Sequence, residues 1–80
     1  MTTERVYEKL GETFQSVFDD ESIVVKPELS AADVDEWDSL AHVRLMLTVE
    51  REFGIKFSAP EIGSLKNVGE LAALIQSKVK

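Results

Sequence analysis

Ser39 stands in the run Glu36-Trp37-Asp38-Ser39-Leu40, where an aperiodic stretch gives way to an amphipathic one. Its hydroxyl falls at a helix mouth, beside the carboxylate of Asp38 and directly after a long loop. That placement suits a serine that carries a group rather than one that cleaves a bond. A phosphate ester on its oxygen would lie at the positive end of the helix dipole, next to unpartnered backbone N–H groups. The same residues also read as plain structure, with Asp38 as helix cap and Ser39 a small residue in the first turn. His42, one turn further, is either a half-exposed surface histidine or an imidazolium able to meet such a phosphate. A hydrolytic Ser39–His42 dyad is a poor reading, because no oxyanion hole or metal cluster accompanies it.

Composition narrows the chemistry further. The chain has 80 residues and no cysteine, which removes a cysteine nucleophile, a thiolate metal site and a thiol of its own. Any sulfur chemistry has to arrive on a cofactor. The net charge of -6 argues against phosphate-backbone binding, which needs clustered Lys and Arg, so no nucleic-acid partner is expected. Anionic membrane surfaces are disfavoured on the same ground. No apolar run approaches the roughly 20 residues that span a bilayer. The start Met1-Thr2-Thr3-Glu4-Arg5 lacks the pattern of a signal peptide, so a cytoplasmic protein without stable membrane insertion is expected.

The elements that position Ser39 follow from periodicity. Val6, Leu10, Phe14 and Val17 recur at helical spacing and predict a first helix from about Thr3 to Phe18, capped by Thr3 and stopped near Asp19-Asp20. From Asp19 to Trp37 no period holds, yet Ile23, Val24, Val25, Leu29 and Val34 predict an ordered loop packed across the bundle. A strand at Ile23 to Val25 would have no second strand to pair with. The second helix is expected from Ser39 to Phe53, with Gly54 as its stop. Leu40, Val43, Leu45, Met46, Leu47, Val49 and Phe53 form one wide apolar arc on its wheel, which predicts a central helix buried against several neighbours. Ser58-Ala59-Pro60-Glu61 reads as a capping box opening a short third helix that ends near Ser64. Asn67-Val68-Gly69-Glu70 is a second box, opening a last helix with Val68, Leu71, Ala72, Ile75 and Val79 on one face. The expected fold is a single all-α domain over 1–80. It is a four-helix bundle of three longer helices and one short one, with a long loop after the first.

With these residues in place, the chain resembles the acyl carrier proteins. Asp38-Ser39-Leu40, the apolar helix ending Glu50-Arg51-Glu52-Phe53-Gly54-Ile55, and the short linker Phe57-Ser58 follow that family's plan. So do the short helix with Ile62 and Leu65 and the closing Val68 to Val79 helix. The resemblance implies that Ser39 is esterified with 4′-phosphopantetheine, delivered from coenzyme A by a phosphopantetheinyl transferase. The arm would supply the missing thiol and hold an acyl cargo as a thioester, so the protein is expected to carry intermediates rather than catalyse. Asp38 matches the acidic residue that assists magnesium and cofactor positioning during modification. Leu40, Ala41 and Arg44, on the helix matching the family's recognition helix, become candidate contacts for an acyl-loading ligase or synthase. Met46, Phe57, Ile62 and Leu65 become candidates for an acyl groove, with plain core as their simpler reading.

Some positions depart from the fatty-acid-synthesis members. Trp37 fills a position that is commonly small there, and Ala41, His42 and Arg44 replace a markedly acidic stretch. A basic enzyme surface selected for an acidic helix would meet Arg44 unfavourably. The chain therefore looks like a discrete, specialised carrier in fatty-acid, polyketide or related lipid metabolism, expected to be monomeric. An aminoacyl, D-alanyl or peptidyl carrier, or a helical interaction module without the arm, are the alternatives. Trp37 is expected to anchor the loop to the core.

Overall fold

Apolar residues at spacings of three and four build α1, Thr3–Phe18, which seals Val6, Leu10 and Phe14 completely from solvent. The computed structural model describes residues 2–79. The cap of α1 is Thr2 rather than Thr3: the Thr2 hydroxyl accepts from the Arg5 amide at 3.2 Å. Thr3 lies inside the helix and its hydroxyl accepts from Gln76 Nε2 at 2.9 Å, joining the start of the chain to its last helix. At the other end Asp19 turns into left-handed backbone, φ 51°, and the amides of Asp19 and Asp20 fold back onto Ser16 and Gln15 carbonyls.

Three more helices follow: α2, Ser39–Phe53; α3, Ala59–Ser64; and α4, Val68–Lys78. No strand occurs among the described residues, and the fold is the all-α bundle expected, with a short third helix. None of the helices is long and apolar enough to cross a membrane. The central element, however, is α1, which makes the main helix-to-helix contacts, with α2 and with α4. The apolar arc of α2 therefore splits into two faces. Leu45, Met46 and Val49 are fully buried, whereas Leu40, Val43 and Leu47 point outward and are 73%, 47% and 58% exposed. One long neighbour covers one side of a helix and leaves the other to solvent.

The long loop is ordered, as its apolar residues predict. Ile23, Val34 and Trp37 join the core and Val25 and Leu29 pack against it, while Val24 is exposed. Ile23 to Val25 forms no strand; the Ile23 carbonyl is satisfied instead by Gln15 Nε2 at 3.1 Å. A 3-10 turn at Ala31–Asp33, unforeseen from periodicity, is held by reciprocal Ser30 and Asp33 bonds. The loop also closes the open end of α4. The amides of Val68 and Gly69 donate to the carbonyls of Leu29 and Pro27 at 2.8 and 2.9 Å, satisfying two donors that a helix start leaves free.

Both capping boxes form, the second in altered shape. Ser58 and Glu61 cap each other, and Glu61 also meets Lys78 of α4 at 3.2 Å. The Ser58 amide and then Lys78 hold the Glu61 carboxyl below its ordinary value. Asn67 accepts from the Glu70 amide, but the Glu70 carboxylate reaches past the cap to the Lys66 amide at 2.9 Å. Crowding at this junction makes a prediction. A Cβ on Gly69 would stand 3.1 Å from the Pro27 carbonyl oxygen, which is held in place by Gly69's own amide. Gly69→Ala is expected to lower stability by about 1 kcal/mol or more, despite alanine's better helix propensity, because overpacking outweighs it. A chemical-denaturation midpoint that rises would show that the loop yields freely.

Candidate functional site

The mouth of α2 is fixed from beneath by Trp37. Its indole meets Phe14 edge-on with ring centroids 5.3 Å apart and Phe18 at 6.2 Å, and it is only 9% exposed. This is the core anchor expected of it. The Trp37 amide returns to the Val34 carbonyl and the Asp38 amide to that of Glu36, so the chain enters the helix through a hydrogen-bonded turn. Asp38 then caps the helix, its Oδ1 accepting from the Ala41 amide at 2.8 Å. No bond to its Oδ2 occurs among the described residues.

Ser39 is therefore the first residue of α2, and its side chain is exposed. Among the described residues the amides of Ser39 and Leu40 have no protein acceptor. An oxyanion esterified to the Ser39 hydroxyl would meet both the helix dipole and these two donors, so the residues fit a phosphate-linked group. Beside it opens a cleft of about 460 Å³, bounded by Trp37, Ser39, His42, Ile62, Leu65 and Lys66. The structure thus brings Ile62 and Leu65, two of the groove candidates, to the same cleft as Ser39. Met46 is fully buried in the core and Phe57 lies half-buried outside the cleft, its amide held by Glu50 Oε2 at 2.7 Å. Leu40 and Arg44 are exposed on α2, and Ala41 is half-buried beside them.

His42 is half-buried, lines the cleft beside Ser39, and has a protein partner at each ring nitrogen. Its Nδ1 lies 3.0 Å from Trp37 Nε1 and its Nε2 lies 2.9 Å from the Ile62 carbonyl oxygen. An indole N–H can only donate, so Nδ1 accepts and Nε2–H donates. His42 is the bracket joining the loop, α2 and α3 around the cleft. Sequence reasoning missed this role, although a histidine five residues after a tryptophan at a helix start was its visible signal. His42→Phe keeps a ring but strands two half-buried polar partners. It is expected to cost about 1–3 kcal/mol and to speed amide exchange through Ile62–Leu65 more than through α1. Unchanged exchange in α3 would remove the bracket role.

Four helices with an exposed serine at one helix mouth, beside a cleft, make a small all-α domain whose geometry fits a covalently carried group. The family described as "Phosphopantetheine attachment site" matches residues 8–75. The meromycolate extension acyl carrier protein of Mycolicibacterium smegmatis is 32% identical over 75 residues, covering 94% of this chain and 76% of that protein. The acyl carrier protein of Rhodococcus erythropolis is 29% identical, with 94% and 82% covered. The solution structure of the holo acyl carrier protein from Geobacter metallireducens superposes with a TM-score of 0.86 at 46% identity, over 91% of this chain and 84% of that one. The chain belongs to the acyl carrier protein family. It is a carrier of lipid metabolism that bears a covalently attached 4′-phosphopantetheine, and its family transports intermediates rather than transforming them.

Proposed function

We propose that Ser39 is the attachment point and that the whole chain acts as one monomeric carrier domain in the cytoplasm. The observation that carries this reading is the exposed Ser39 hydroxyl on the first turn of α2, with the Ser39 and Leu40 amides beside it free of acceptors among the described residues. When bound, the arm supplies a terminal thiol for thioester formation. The protein's part is to hold the phosphodiester end at the helix mouth and keep the cargo at high local concentration near a docked enzyme. Asp38 is split between two tasks: Oδ1 caps α2, and Oδ2 is left to position the modifying machinery. Ile62 and Leu65 offer the apolar wall against which the arm or the first part of an acyl chain can rest. A phosphopantetheinyl transferase loads the arm, and a ligase or synthase loads the acyl cargo. Leu40, Ala41 and Arg44 are surface against which these enzymes dock.

Incubation with coenzyme A and a broad-specificity transferase should add one phosphopantetheine to the intact mass, and Ser39→Ala should add none. An unchanged wild-type mass, with far-ultraviolet circular dichroism showing a folded helical protein, would defeat the proposal.

A further inference from the structure

The side of α2 that faces away from the core is apolar along its middle and carries basic rather than acidic residues along one edge. At about 100° per residue, Leu40 and Leu47 fall nearly in line, with Val43 on one flank and Arg44 and Arg51 on the other. The buried Leu45 and Val49 lie on the opposite side of the same helix. Three large apolar side chains are thus held in water along one stripe, edged by two cations seven residues apart. Neither arginine lies within ion-pair distance of a carboxylate among the described residues. Glu50, the nearest acid on that helix by angle to Val43, is committed to the Phe57 amide.

This stripe is out of character with the rest of the chain, whose net charge is -6. A solubilising surface would have continued the acidic bias. We propose that the Leu40–Val43–Leu47 stripe docks partner enzymes whose contact surface is apolar and edged by Asp or Glu carboxylates. The assignment rests on the carrier reading above and extends it to the chemistry of the partner. Charge also sets the orientation of the encounter. Asp35, Glu36 and Asp38 are exposed in the segment just before Ser39, so partner carboxylates sit along the later turns, over Arg44 and Arg51, and not over the serine. The match fixes which way the arm enters the partner. A membrane is the weaker occupant, since two cations fall short of the four to eight that typically mark anionic-lipid binding.

The test uses the full chain before arm attachment, so its outcome does not depend on whether Ser39 can be loaded. Two amphipathic helical peptides of equal length serve as probes, each with one leucine face, flanked by glutamates in one and by lysines in the other. Titrated into labelled protein, the glutamate peptide should move the amide resonances of Leu40 to Arg51 and bind more weakly as salt rises. The lysine peptide should bind at least about tenfold more weakly, and the double variant R44E/R51E should reverse that preference. Equal binding of both peptides, preference for the lysine peptide by the unaltered chain, or shifts centred outside α2 would overturn the proposal. So would concentration-dependent shifts of these resonances without peptide, which mark self-association, or Arg44- and Arg51-dependent binding to phosphatidylserine vesicles that exceeds the peptide binding.

Discussion

Trp37→Ala is expected to cost about 3–5 kcal/mol, the usual range for deleting a large buried aromatic. A domain of 80 residues has a stability on the order of 5–10 kcal/mol, so the variant should lose about a third or more of its stability and approach unfolding at the low end of that range. The magnitude follows from what the indole touches. It packs on Phe14 and Phe18 of α1, closes the end of the long loop, and donates to His42. Trp37→Phe keeps the aromatic contacts and loses the donor, so it should cost only about 1–2 kcal/mol, mostly through the unpaired His42 Nδ1. Urea unfolding followed by circular dichroism measures both. A Trp37→Ala midpoint within the error of wild type would show that the loop is held by something else.

Leu45→Ala should destabilise by about 2–5 kcal/mol, and Leu47→Ala, two residues away on the same helix, by less than about 0.5 kcal/mol. Leu45 is 0% exposed and Leu47 58% exposed, so the first change empties a packed site and the second removes a side chain already in water. Methylene count is identical in the two substitutions, so the difference reports burial alone. Similar losses for both would mean that α2 is covered on two sides. If Leu47→Ala leaves stability intact while weakening the encounter with an acidic partner, the outward stripe has a function separate from the fold.

That pair of leucines also shows where sequence reasoning stops. Periodicity located α2 from Ser39 to Phe53 and its stop at Gly54, because spacing and a left-handed cap residue are local properties. The wheel merged an inner and an outer apolar face into one arc, because periodicity records hydrophobicity and not which neighbour is present. Coverage of α2 depends on α1, and α1's central position is set by contacts between distant segments. The capping boxes at Ser58 and Asn67 were legible for the same local reason, whereas the slip of Glu70 to the Lys66 amide was not.

The candidate site was legible to a similar depth. Asp38 as cap and Ser39 as the next residue follow from residue types at a helix start. The cleft beside them depends on α3, which His42 holds across a separation of 20 residues through the Ile62 carbonyl. No local pattern encodes that bond. The Pro27–Gly69 junction belongs to the same class, since it is fixed by a backbone partner elsewhere in the chain.

The central claim is that one hydroxyl, that of Ser39, tethers the arm. Fragmentation mass spectrometry of the transferase-treated protein tests it most directly, because it assigns the added group to a residue rather than to the chain. The account predicts the phosphopantetheine on the segment from Trp37 to Arg44, localised to Ser39. Finding it on Thr48, Ser58 or any other hydroxyl would contradict the account.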